Sequence, residues 1–135
     1  MRYLVKEEPE NYSYAAFAKD GGTTWTGVRN PLARKHLAAM RKGDLVFYYH
    51  TGDEKAIVGI AKAAGDAYPD PADPTGKAPV VDLVPVKTLK RPVTLAEVKA
   101  DRRFEKWPLT YLPRLSVMPV SDREWDAIIA LSEAG

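Results

Sequence analysis

Apolar positions fall in short runs broken by turn-forming residues, and no single period persists along the chain. Tyr3-Leu-Val5 is continuous and apolar, which predicts a short buried strand ended by an acidic turn from Lys6 to Pro9. Ser13 can cap a short helix through Phe17 and Ala18, and Gly21-Gly22 closes it. Trp25-Thr-Gly-Val-Arg-Asn-Pro31 reads as a sharp loop leading into a helix. Asn30 suits the N-cap, Pro31 suits the first helical position, where no N–H is needed, and Gly27 lets the backbone approach a neighbour closely. The helix carries Leu32, Ala33, Leu37 and Met40 on adjacent faces, with Arg34, Lys35 and Arg41 elsewhere. After the Lys42-Gly43-Asp44 turn, Leu45–His50 is a strand rich in β-branched and aromatic residues. A hairpin turn at Thr51–Glu54 leads to a partner strand, Ala56–Ala61.

The proline-bearing stretch from Asp66 to Pro79 predicts an irregular surface loop. In Val80–Leu89 both alternate sets are apolar, which predicts burial on both sides or a bulge near Pro85. Thr94 caps a helix over Leu95–Ala100, and Phe104–Arg114 reads as irregular, pinned by Trp107, Pro108 and Pro113. Leu115–Met118 fits a last strand. Ser121 and Glu124 form a capping box for a terminal helix whose Trp125, Ile128 and Ile129 share a face. Strands alternate with short inserted helices, and the pairings look local. The expected architecture is α+β: a curled, barrel-like antiparallel sheet with short helices between its strands, rather than a doubly wound parallel sheet.

Composition narrows the chemistry. A chain of 135 residues is expected to form one domain over residues 1–135. It has no cysteine, which removes disulfides, thiolate catalysis and thiolate metal sites. Its two histidines lie far apart and give no metal-ligand spacing, and no glycine-rich phosphate loop or nucleophile elbow is present. No metal and no cofactor are expected. The start reads as no signal peptide, and no stretch approaches the roughly 18 apolar residues of a membrane span, so the expected location is the cytoplasm or the nucleoid. The net charge of +2 says little, but its distribution says more. Arg29, Arg34, Lys35, Arg41 and Lys42 occur with no acid among them, so the last four are candidates to face phosphates. A solvated surface is the plain alternative. A second basic run from Lys87 to Lys106 is diluted by Glu97, Asp101 and Glu105.

Several short motifs coincide in order along essentially the whole chain. These are Lys6-x-Glu8-Pro9, Trp25-x-Gly27-Val28-Arg29-Asn30 with Ala33-Arg34, and Gly43-Asp44 before a strand ending Tyr49-His50. Gly59 and Arg114-Leu-Ser116-Val117 complete the set. With them the sequence resembles the EVE domain family, which is similar to the PUA, ASCH and YTH folds. The resemblance implies a small curled β-barrel decorated with helices. It also implies a non-catalytic reader related to nucleic acid, with a pocket for a modified base such as a modified cytosine in DNA. Glu7 departs from the pattern, where the family usually has serine or threonine. A carboxylate facing the pocket would disfavour phosphate, whereas one facing solvent would be harmless.

A base read outside the duplex needs a flat apolar platform and a few donors and acceptors for its edges. Trp25 is the leading platform, followed by Tyr48, Tyr49 and Tyr111, against the alternative that Trp25 plugs the core. Arg29 can offer a planar fork to a phosphate or base edge, or can pair with Glu8. Asn30 combines a cap with a place at the site. Lys6 and Glu8 bracket the end of the first strand and can reach a base edge or pair with each other. His50 is either a ligand or a hydrogen-bonded strand end, and Arg114 and Ser116 can close the pocket from the opposite side. Two other classes stay open. One is a small hydrolase of modified nucleosides, ASCH-like, using Lys6, Glu8, Thr24 and His50. The other is an RNA-binding accessory domain whose basic runs form one stripe while Trp25 packs inside. The partners implied are modified DNA, RNA or a modified nucleoside, together with a separate effector protein.

Overall fold

The structure, a computed structural model, describes residues 1–134. Its first strand, β1 (Arg2–Glu7), outlasts the apolar run, because Lys6 and Glu7 continue a ladder with the aromatic strand Leu45–His50. Numbering in chain order, the strands are β1, β2 (Thr23–Trp25), β3 (Leu45–His50), β4 (Ala56–Ala63), β5 (Tyr68–Pro69), β6 (Pro79–Thr94) and β7 (Val117–Val120). They hydrogen-bond in the order β2-β6-β4-β3-β1-β7, with β5 on β6. The α+β class is as expected, and the sheet is a curled half-barrel with short helices between its strands.

One expectation is corrected. The sheet is mixed and not wholly antiparallel, because β1 and β3 run parallel, pairing Lys6 with Tyr49 and Glu7 with His50. A parallel pair cannot be joined by a tight turn and needs a crossover. Here the crossover carries α1 (Pro9–Tyr12), α2 (Tyr14–Asp20), β2 and α3 (Pro31–Ala38), so the loop after Trp25 lies on it.

Local chemistry sets most boundaries. Ser13 Oγ accepts from the Ala16 N–H, and Gly21 ends α2 in the left-handed region at φ 79°. Capping boxes at Thr94 and Ser121 open α4 (Leu95–Ala100) and α6 (Asp122–Glu133). The bulge near Pro85 is present: Ile60 pairs with Lys87 and Ala61 with Pro85, leaving Val86 out of register and 48% exposed. Several boundaries differ from expectation: β4 and β6 run on to Ala63 and Thr94, and β5 lies inside the stretch expected to be an irregular loop. A 3-10 turn at Arg102–Phe104 leads into the stretch expected to be irregular, that stretch contains a short helix, α5 (Pro108–Tyr111), and the last strand starts at Val117 instead of Leu115.

Two aromatic groups fill the core. Phe47 stacks on Trp125 with centroids 3.7 Å apart and planes 11° from parallel. On the crossover side, Tyr14, Phe17, Trp25 and Tyr48 pack together, with Tyr48 in contact with each of the other three. Gly59 is required there: a Cβ at that position would lie 2.5 Å from the Tyr14 ring. The Tyr14 hydroxyl donates to the Ile60 carbonyl at 2.7 Å, which locks that approach. Among the described residues no helix is long and apolar enough to cross a membrane.

Candidate nucleic-acid interface

The loop and helix start at residues 25–34 form a self-braced wall. Trp25 is only 6% exposed and meets Tyr48 edge-on, with ring centroids 5.4 Å apart. Its indole is therefore inside, behind the loop, and presents no open platform. Tyr48 and Tyr49 are buried as well, and burial pushes the Tyr48 hydroxyl up and that of Tyr49 up to about 12. Of the four rings weighed as platforms, Tyr111 alone is open, at 56% exposure. Asn30 Oδ1 accepts from the Ala33 N–H at 3.0 Å, so it is the helix cap. Arg34 Nε donates to the Val28 carbonyl at 2.7 Å, tying the helix back to its own loop. Gly27 serves the turn rather than a close approach: its φ is 77°, and no atom lies within 4 Å of where a Cβ would sit.

Arg29 is exposed and makes no ion pair among the described residues, so the pairing with Glu8 is not formed. Glu8 is exposed too, and its N–H donates to Glu7 Oε1 at 2.9 Å. The unusual acid at position 7 thus braces the start of α1, where Glu8 supplies no side-chain cap.

The opposite wall is the segment 112–116, and Lys6 holds it. The Lys6 N–H donates to the Ser116 carbonyl at 2.9 Å, and Nζ donates to the Pro113 carbonyl at 3.2 Å. The ammonium also lies 5.5 Å from the Tyr49 ring centroid, and burial holds its pKa below that of an ordinary lysine. On one side of the segment is a groove of about 280 Å³ lined by Asn30, Leu32, Leu112, Pro113, Arg114 and Leu115. On the other is a groove of about 300 Å³ that includes Lys6, Tyr49, Thr51, Lys55, Lys99 and Tyr111. Pro113 lines both. Asn30 and Arg114 are therefore brought together in the first groove, Lys6 and Tyr49 in the second, and Ser116 joins them through Lys6.

The remaining candidates stand apart. His50 is buried; its Nε2 accepts from the Tyr14 N–H at 3.0 Å, and Nδ1 lies 2.8 Å from Glu54 Oε1. That places the ring proton on Nδ1 and occupies both nitrogens, which is a structural role. Thr24 Oγ1 donates to Asp82 at 2.7 Å. The basic runs form no single free stripe: Arg34 is tied to Val28, Arg41 lies 3.5 Å from Asp66, and Arg91 and Arg103 pair with Glu97 and Asp101. Lys35 and Lys42 are exposed. Sequence reasoning missed Thr51, Lys55 and Lys99, which carry no local motif and meet only through the fold.

A family model described as the EVE domain matches residues 1–131. Human thymocyte nuclear protein 1 is 34% identical over 134 residues, covering 82% of this chain and 60% of the relative, so the chain spans only part of that protein. The NMR structure of a protein from Rhodopseudomonas palustris is 46% identical with a TM-score of 0.93, covering 98% of this chain and 93% of that one. Human THYN1, solved in complex with DNA containing 5-methylcytosine, is 30% identical with a TM-score of 0.86, covering 98% of this chain and 97% of that one. With matching motifs, a matching fold and a family model spanning nearly all of its residues, the chain belongs to the EVE domain family.

Proposed function

We propose that this domain binds DNA and reads a modified cytosine, 5-methylcytosine, without acting on it. The observation that carries the reading is the likeness, over nearly the whole chain, to human THYN1 solved with DNA of that kind. The Asn30–Arg114 groove is the base site in this reading. Leu32, Leu112, Pro113 and Leu115 offer apolar contact for the base faces and the C5 methyl. The Asn30 oxygen is spent on its helix, which leaves the amide NH₂ to donate to a base-edge acceptor. Arg114 supplies a fork for an edge or a phosphate, and Arg29, exposed just before the cap, supplies another. Trp25 backs the wall from inside.

Burying one methyl group is worth about 0.8 kcal/mol, roughly fourfold in affinity. The base must leave its stack, which costs least in single-stranded or mismatched substrate. The test is anisotropy at fixed salt with oligonucleotides differing by one 5-methyl group, in DNA and in RNA. The expected result is at least about a fourfold preference for the methylated strand, lost in Arg114→Ala. Equal affinity for methylated and plain strands, with a steep salt dependence, would instead mark a backbone binder.

A further inference from the structure

The second groove has features that base reading does not use. Its lining contains three lysines, Lys6, Lys55 and Lys99, with Tyr49, Thr51 and Tyr111, and no acid. The acids Asp53 and Glu54 belong to the neighbouring hollow, across Lys55 and Lys99. Neither Lys55 nor Lys99 makes an ion pair among the described residues. Lys55 has a φ of 45°, the only positive value at a non-glycine position among the described residues. A glycine would fit that turn without steric cost, so the turn itself does not call for a lysine. Thr51 adds a third anomaly, since its Oγ1 is buried and has no hydrogen-bond partner among the described residues. Buried hydroxyls are nearly always paired, and Thr51 lines this groove.

We infer that this groove is a phosphate-binding site, in which Lys55 and Lys99 close on the anion from the rim, Lys6 supports it from the floor, and the Thr51 hydroxyl donates to it. The phosphate belongs either to the strand beside the read base or to a free nucleotide. Both sources present the same oxygens to the same donors. Lys6 touches the wall shared by the two grooves, but the rim donors Lys55 and Lys99 do not line the Asn30–Arg114 groove, so variants at those two positions separate this site from base reading. Tyr111, open at the rim, can stack a base attached to that phosphate.

The test is an NMR titration of the whole chain with inorganic phosphate, against chloride at equal ionic strength. Saturable shifts are expected in the amides of Thr51, Gly52, Lys99 and Tyr111. Lys99→Gln and Lys55→Gly should each weaken phosphate binding roughly tenfold, the loss of one charge-assisted bond. Lys55→Gly also removes the left-handed lysine, so its melting temperature should equal or exceed the parent's, separating lost binding from lost folding. With oligonucleotides, a strand phosphate predicts equal loss for methylated and plain DNA, and a salt slope smaller by about 1 for each variant. A free nucleotide predicts the loss for phosphate and dCMP only. Absence of saturable phosphate shifts, or variants that bind phosphate as the parent does, would overturn the site. Loss of methyl preference in the anisotropy experiment would leave it standing.

Discussion

The wall at residues 25–34 is braced by local caps and anchored at Trp25 to other strands, whereas the wall at 112–116 takes its long-range hydrogen bonds from Lys6. In the first, Asn30 caps Ala33, Arg34 grips the Val28 carbonyl, and Trp25 anchors the loop in the aromatic cluster. In the second, the local bonds are the Leu112 N–H to the Pro108 carbonyl and the Leu115 N–H to the Leu112 carbonyl. Its long-range hydrogen bonds come from Lys6, and Leu115 anchors it in the core. The first wall is thus a rigid template with one free cation, Arg29. The second is exposed from Leu112 to Arg114, and it is held by the buried Leu115 side chain and by two long-range bonds from Lys6. A groove between two such walls can keep a fixed recognition surface and still adjust its width.

The sharpest way to break this contrast is Trp25→Ala. Emptying a buried indole site should cost about 3–5 kcal/mol of stability and take methyl preference with it. Guanidinium unfolding measures the first effect and anisotropy the second; a loss of preference with unchanged stability would mean that the indole acts on the ligand directly. Tyr111→Ala should do the reverse. Stability stays within about 0.5 kcal/mol of the parent, while oligonucleotide binding weakens by about 1–3 kcal/mol through lost stacking. Asn30→Ala should cost about 1 kcal/mol, the usual loss of an N-cap, and raise hydrogen exchange at Ala33. The smallest global effect is expected from Lys6→Met, about 0.5–1 kcal/mol from one lost side-chain hydrogen bond. Its signature is local: faster exchange at Leu115, with the amides of Ala33 and Arg34 unchanged. Faster exchange in both walls would show that they are mechanically one unit.

How legible this was from sequence depended on the range of the interaction. The caps at Ser13, Asn30, Thr94 and Ser121 were readable because a cap is decided within four residues. The same holds for Leu45–His50 and for the bulge beside Pro85, where a missing N–H interrupts any ladder. The parallel pairing of β1 with β3 was not readable. It places Lys6 beside Tyr49, and nothing within either hexapeptide announces the other. Whether Trp25 is a platform or a core plug was not readable for the same reason: glycine, arginine and proline around it describe a loop correctly, but only Tyr48, delivered by another strand, decides which side the indole faces. Thr51, Lys55 and Lys99 belong to that class too, being ordinary in sequence and adjacent only after folding.

The place of β1 between β3 and β7 has a kinetic meaning. Lys6 and Pro113 are 107 residues apart, so the contact that positions the second wall is among the most non-local in the fold. Closing so long a loop costs entropy that no local propensity offsets in advance, and such contacts tend to form late. The crossover wall can assemble early around its own caps and aromatic cluster, but neither groove exists until β7 docks against β1. Binding competence in this domain should therefore appear last during refolding, as a report that the two distant parts of the chain have met.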